Sequence, residues 1–455
     1  MKIESNSRRN FLKNTAIAGS GLLILPSGTF ASAASPSNKL NIGLIGCWGR
    51  ARAHWSFVAK ENVVAVCDVN DKCMAIGLEA LGNPKAKTYK DWRVMLDKQK
   101  DLDAIVVCTP DHTHAHIATW ALNRDLHVYL EKPIGNSVHE ARTVRLKWDE
   151  KGRKVATQVG TQRHAFENFR RVRELIRDGA VGDLREVHAW GNRVRKHTNY
   201  PSGGDPVPAH IDHDLWCGPS PYHPYDDFYW NNLIKKEPAP GSNCLMWNQF
   251  WDFGTGQVGD MGSHTMDLAW NAIDGDLPLS AAAEGEPILP DVAPGEFHAI
   301  YLLPANEWRG KIRAHWWQGG MMPNSPSPWV DLTQIGHGAM FKGTKGFLVA
   351  GFNNRLIIPY GKEADMSYYD KRAVEDLLPE PLGFQEEWVH ACKTGAPTSC
   401  DFNYNGRMME MMLLGLAAYQ AGDEVDYDGA SGTTNSARVN NFLQKTYREG
   451  WPLDG

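Results

Sequence analysis

Long hydrophobic runs are missing from this 455-residue chain. No stretch reaches the ~20 consecutive apolar residues that a bilayer-spanning helix needs, so no membrane anchor is expected. Cysteine is sparse: there are eight, with no C-x-x-C pair, which excludes the disulfide framework of a small stapled domain. Cys47, Cys67 and Cys108 fall in or beside apolar runs and read as small buried hydrophobes. Cys392 and Cys400 are close enough in sequence for a disulfide, but free thiols are the expectation there too. Clustered basic charge is also lacking. Lys and Arg number 48 against 53 Asp and Glu, a net charge of −5, which argues against nucleic acid as a partner. No internal repeat and no low-complexity segment occurs.

What is present begins with an address. Ser7-Arg8-Arg9-Asn10-Phe11-Leu12-Lys13 has the form of a twin-arginine export signal, and a short glycine-containing apolar run follows over residues 16–25. Ala31-Ser32-Ala33 offers the small-x-small pattern a signal peptidase reads. The expectation is a signal peptide over residues 1–33, passage through the twin-arginine translocase, and a soluble periplasmic protein.

The remainder is too long for one core and suits two domains. From residue 40 to 160, short Val- and Ile-rich runs at 40–46, 63–67, 104–108, 127–130 and 155–159 alternate with helical patterns such as 116–123 and 137–150. Near-continuous apolar strands separated by helices imply a doubly wound parallel sheet covered on both faces, here assigned to residues 38–160. A helix over 166–178 ends at Gly179, and a strand over 184–194 opens a second α/β domain, residues 161–455. In it, a Pro-, Gly- and aromatic-rich stretch over 196–256 is too long for a plain connection and reads as a functional wall or lid. A helix over 258–273, strands near 297–303, 311–317 and 347–349, and helices near 384–391, 404–419 and 435–447 complete an open, mostly antiparallel sheet with flanking helices. Tryptophan is abundant, seventeen in all, and large flat rings suit sugar faces as well as cores.

The chemistry concentrates at the ends of the strands. The first runs into Gly46-Cys47-Trp48-Gly49-Arg50-Ala51, where G-x-G-x-x-G/A would begin at Gly46 and end at Ala51. Such glycines let the backbone approach a dinucleotide pyrophosphate; Trp48 breaks the pattern at its middle position. The second strand ends at Asp68, placed to accept hydrogen bonds from the adenosine ribose and to repel a 2′-phosphate, which favours NAD over NADP. Thr109-Pro110-Asp111-His112-Thr113-His114 and Glu131-Lys132-Pro133 follow two further strands at the edge where open α/β sheets bind ligands. A lysine there can hold a substrate hydroxyl and favour its deprotonation. Asp260 and His264 are four apart, on one face of the expected helix, and histidine is the natural general base for an alcohol.

Two histidine clusters invite a metal reading, and none is adopted. His112 and His114 open a helix within the Rossmann pattern, with Asp111 and Thr113 as cap residues. His210-Ile211-Asp212-His213-Asp214 lies in the long wall segment, where His213 is read as a hydrogen-bond partner of substrate.

Taken together these motifs resemble the glucose-fructose oxidoreductase and inositol dehydrogenase (Gfo/Idh/MocA) family. The likeness extends through Gly160-Thr161-Gln162-Arg163, Trp216-Cys217-Gly218-Pro219, Trp251-Asp252-Phe253-Gly254 and Tyr447-Arg448-Glu449-Gly450-Trp451. The resemblance implies Lys132 and His264 at the reacting centre, Asp260 orienting substrate or His264, and Glu131 beside the nicotinamide ribose. It places Gly46, Trp48, Gly49, Arg50, Ala51, Asp68, Thr109, Pro110 and His114 around the cofactor, and Arg163 with His213 and Asp260 around the substrate. It also implies a homo-oligomer. The expected function is an NAD-dependent oxidoreductase that moves a hydride between a secondary hydroxyl of a sugar or glycoside and a tightly held nicotinamide. A glycosidase that uses transient oxidation and elimination is the alternative, and a sugar-binding protein on a retired scaffold a third reading.

Overall fold

The apolar runs fold as their burial requires. In the computed structural model, which describes residues 39–193, 198–230, 245–361, 365–370, 373 and 377–455, the first sheet contains β1 (Asn41–Ile45), β2 (Asn62–Cys67), β3 (Lys87–Tyr89), β4 (Ala104–Val107), β5 (His127–Leu130) and β6 (Thr157–Val159). All neighbours are parallel, in the order β3-β2-β1-β4-β5-β6. The order reverses between β1 and β4, which opens a crevice at the carboxyl ends of those strands. The covering helices are α1 (Trp55–Val58), α2 (Asp71–Leu81), α3 (Trp92–Lys98), α4 (His114–Asn123) and α5 (Val138–Glu150). Ser137 caps α5, its hydroxyl accepting from the Glu140 amide at 3.2 Å.

Little helix follows the glycine turn. A 3₁₀ turn over Gly49–Ala53 leads into a single α-helical turn at α1. Arg50, Arg52 and the bulky Trp48 occupy the place where small residues would allow a helix to start against the strand.

The second sheet has nine strands. After α6 (Glu167–Arg177) come β7 (Leu184–Gly191), α7 (His213–Cys217), α8 (Ser263–Ile273), β8 (Ser280–Gly285), β9 (Phe297–Leu303), β10 (Ile312–Gln318), β11 (His337–Gly343), β12 (Gly346–Gly351), β13 (Arg355–Pro359), α9 (Phe384–Thr394), α10 (Phe402–Ala421), β14 (Val425–Asp428), β15 (Thr433–Thr434) and α11 (Ala437–Asn440). The order is β13-β12-β11-β7-β10-β9-β8-β14-β15, antiparallel except where β7 meets β10. The α/β class and both sheets are as the sequence led us to expect. The C-terminal helix is not: Val439, Leu443 and Tyr447 keep helical spacing, yet only Ala437–Asn440 is helical and the rest anchors a loop.

Residues Leu40–Gly455 form one compact unit. Phe384, Trp388 and Cys400 pack with Tyr129 of β5, and α10 lies on α5, where Glu410 pairs with Arg142 and Arg145. Residues 451–455 return to the first half. Trp451 lies under the Arg93 guanidinium at 3.6 Å, and Asn123 donates to the Gly455 carbonyl at 2.7 Å. The described cysteines are all free, Cys392 and Cys400 included. No described helix is long and apolar enough to cross a membrane. The twin-arginine segment lies outside the described residues.

Candidate active site

Four strand ends and one helical turn converge on a cavity of about 660 Å³ at the crevice of the first sheet. Gly46 ends β1 at φ +81°, and a Cβ there would stand 2.8 Å from the Cys108 carbonyl group. Only glycine permits that approach. Asp68 ends β2 and accepts from the backbone N–H groups of Cys47 at 2.8 Å and Asn70 at 2.9 Å. It therefore pins the glycine turn as well as facing the cavity. Burial pushes its carboxyl up to about 6, against the pull of those two hydrogen bonds.

The E-K-P segment follows β5. Glu131 is buried and bound by Arg50 Nε at 2.8 Å and His54 Nε2 at 2.6 Å. Burial opposes its ionisation, but the Arg50 charge and the His54 hydrogen bond prevail and hold it well below the usual carboxylate range. Arg50 thus reaches the cavity wall already committed to Glu131. Lys132 points the other way, its Nζ 2.8 Å from Asp260 Oδ1, while Arg193 Nη1 lies 3.1 Å from Asp260 Oδ2.

Asp260 comes from an unexpected element. Val258–Gly262 is a π-helical turn that runs into α8, so Asp260 and His264 are not consecutive positions on one ideal α-helical face. Both nevertheless line the cavity. A Cβ at Gly259 would collide with Thr255 and Pro133, so the glycine lets the wide turn seat on the E-K-P segment. His264 is 5 % exposed. Burial, then the Lys132 and Arg163 charges, hold its pKa well below the usual value, so the ring is neutral. Its Nδ1 makes no hydrogen bond among the described residues.

The other sequence candidates divide. Gly46, Trp48, Gly49, Arg50, Asp68, Thr109, Pro110, His114, Glu131, Lys132, Arg163, Asp260 and His264 are all on the cavity wall. Ala51 is not; it is fully buried beneath the turn and serves packing. His114 lines the wall but has both ring nitrogens engaged, Nδ1 at 2.7 Å from the Pro133 carbonyl and Nε2 at 2.9 Å from that of Thr109. It braces two loops rather than offering a free nitrogen. His213 is the clear correction. Its Nε2 lies 2.9 Å from the His223 carbonyl and its ring stacks on Trp216 at 5.5 Å, away from the cavity. His210 of the same cluster reaches the wall instead, and Asp212 is spent capping α7 through the Leu215 amide.

Asp111 is not a cap either. No cap hydrogen bond forms at that turn, and Thr113 Oγ1 donates within the loop to Thr109 and Pro110. The Asp111 carboxyl lies buried on the cavity wall, and burial raises it to about 8, only partly offset by Lys132. Sequence reading missed this neutral acid and also missed Arg193, which stands two residues past β7 with no motif to mark it.

The donor and acceptor set suits a dinucleotide. A glycine turn stands at one strand end and an acceptor carboxylate at the next, and the Trp48 indole N–H is buried with no partner among the described residues. Residues 40–159 match the Gfo/Idh/MocA oxidoreductase family with an NAD-binding Rossmann fold. The chain is 28 % identical to the rhizopine catabolism protein MocA of Rhizobium meliloti over 204 residues, 44 % of this chain and 59 % of that one. It is 31 % identical to a glycosyl hydrolase family 109 protein of Solibacter usitatus over 206 residues, 40 % of this chain and 45 % of that one. The chain thus spans about half the length of the curated relatives it matches. Among solved structures, the WlbA dehydrogenase of Bordetella pertussis, in complex with NADH and UDP-GlcNAcA, shares the fold at a TM-score of 0.58 and 16 % identity, covering 86 % of this chain and 99 % of that one.

Proposed function

We propose that the protein is an NAD-dependent oxidoreductase acting on a secondary hydroxyl of a sugar or glycoside. The observation that carries the reading is the Lys132–Asp260 pair at 2.8 Å beside a neutral His264, in the same cavity as the Gly46 turn and Asp68. Bound along that turn, NAD supplies the hydride acceptor. Gly46, Trp48, Gly49 and Asp68 hold it, residues 38–160 acting as the nucleotide part and 161–455 as the substrate part. Lys132 hydrogen-bonds the reacting hydroxyl and favours its deprotonation. His264, kept unprotonated by burial and by two nearby cations, takes the proton. Asp260 fixes the Lys132 ammonium and, through Arg193, the far side of the site.

The likeness to the family 109 protein favours a second reading, in which the same residues serve glycoside cleavage by transient oxidation. Denaturing the purified protein and identifying the released nucleotide tests the cofactor. Following absorbance at 340 nm with a sugar panel then separates the readings. Lasting NADH with a keto-sugar supports the dehydrogenase, and a released aglycone without net NADH supports the glycosidase. Failure of every sugar and glycoside to do either overturns both.

We also propose export by the twin-arginine route, supported by Arg8-Arg9 and Ala31-Ser32-Ala33. An R8K/R9K double variant retained in the cytoplasm is the supporting result. Self-association, suggested by the family resemblance, is read directly by light scattering.

A further inference from the structure

Among the described residues, the substrate end of the cavity carries more positive charge than it neutralises. The charged groups acting on and around His264 and Arg163 are Lys132, Arg163, Arg193 and Arg50 on one side, and Asp260 and Glu131 on the other. Glu131 is matched by Arg50, and Asp260 is shared between Lys132 and Arg193. Asp111, another carboxyl on the cavity wall, is kept neutral by burial. Arg163 has no carboxylate in ion-pair contact among the described residues. Among the described residues its one side-chain polar contact is a weak one, Nη1 to the Met261 sulfur at 3.9 Å.

Arg163 is nevertheless held in place. Its guanidinium lies over the Phe352 ring at 4.1 Å, and Phe352 stacks on Phe169 at 6.1 Å and on His337 at 5.9 Å. A stacked guanidinium keeps its in-plane N–H donors available, and leaving a half-buried one without an oxyanion is costly. Arg193, 43 % exposed, commits one nitrogen to Asp260. The two guanidiniums are close enough that Arg193 helps lower the pKa of Arg163, after burial.

We propose that Arg163 and Arg193 form an oxyanion subsite and that the substrate is an acidic sugar, bearing a carboxylate or a phosphate away from the carbon that is oxidised. This rests on the oxidoreductase reading and narrows its substrate. The subsite restores charge balance only when the anion is present, so a neutral sugar leaves Arg163 without an oxyanion and Arg193 with Asp260 alone. The planar N–H pairs of arginine match either oxyanion bidentately.

The test uses the full protein loaded with NAD. Titration calorimetry compares a neutral hexoside, the matching uronate and the matching 6-phosphate, and 340 nm assays compare their kcat/KM. One acidic compound is expected to exceed the neutral one by ~100-fold, and raising the salt concentration should narrow the gap. A tighter uronate assigns a carboxylate, a tighter 6-phosphate a phosphate. R163Q and R193Q are each expected to reduce the acid-to-neutral ratio by ~10-fold or more, and R163K to restore part of it. Equal binding of neutral and acidic sugars, or a ratio untouched in both variants, overturns the subsite. Acid binding without NAD reduction would retain the subsite and overturn the oxidoreductase reading instead.

Discussion

Lys132 and Asp260 meet at 2.8 Å across 128 residues of chain, one from the loop after β5 and the other from the π-turn before α8. The contact joins the loop after β5 to the turn that leads into α8, and both supply groups to the cavity. K132A and H264A are each expected to lower turnover by ~10²–10⁴-fold. The double variant should lose little more, since residues serving one step are not additive. Single-turnover reduction of bound NAD at 340 nm is the measurement, and a normal rate in H264A would remove the base assignment.

The pH profile has a stated sign. His264 has its pKa driven well below the usual histidine value by burial, Lys132 and Arg163. It is therefore the unprotonated base throughout the neutral range, and the acidic limb of kcat/KM should lie well below pH 6.5. R163Q removes one of the depressing charges and should move that limb upward. A limb at or above pH 6.5 in the parent protein contradicts this arrangement.

Asp68 has two separable roles. D68S combined with V69R is expected to move preference from NAD toward NADP, because the charge that repels a 2′-phosphate is replaced by one that attracts it. The same change removes the acceptor for the Cys47 and Asn70 amides, at a cost of about 1–3 kcal/mol of stability. Calorimetry with both nucleotides reads the first effect and chemical denaturation the second. Equal affinity of the parent for NAD and NADP counts against the assignment.

Asp111 should make the nucleotide-free protein less stable as pH rises. Its folded value of about 8 lies above the ordinary value near 4, so the stability it confers is complete below about pH 4 and is lost as pH rises through about 8. D111N lacks that loss. It is expected to be more stable than the parent at pH 7.5 by on the order of 2 kcal/mol, with the difference shrinking toward pH 4. Parallel stability curves for the two proteins between pH 4 and 8 would show that the carboxyl is not buried as described.

The strands of the first sheet were legible because both faces are covered, which leaves runs such as Ala104–Val107 wholly apolar. β3 was missed because its residues, Lys87–Tyr89, lie on an edge and read as polar. Lys132 could be placed from its strand end, whereas Asp260 and His264 were placed by the family resemblance, and their spacing runs across a π-turn rather than along one α-helical face. His213 was misplaced because a dense run of ligand-type residues says nothing about side-chain direction, and here the ring turns into the Trp216 cluster. Arg193 was invisible for a related reason: only the register of β7 brings it to Asp260.

The return of residues 451–455 to the first half ties the cavity wall to a distant part of the chain. Trp451 stacks under Arg93, Asp454 pairs with Lys147 at 2.8 Å, and Asn123 holds the Gly455 carbonyl. Segments more than three hundred residues apart in sequence, such as Arg93 and Trp451, are therefore held against one another. Trp92, which lines the cavity, is thus buttressed from behind by Trp451, so a W451A change would loosen a cavity wall it does not itself line.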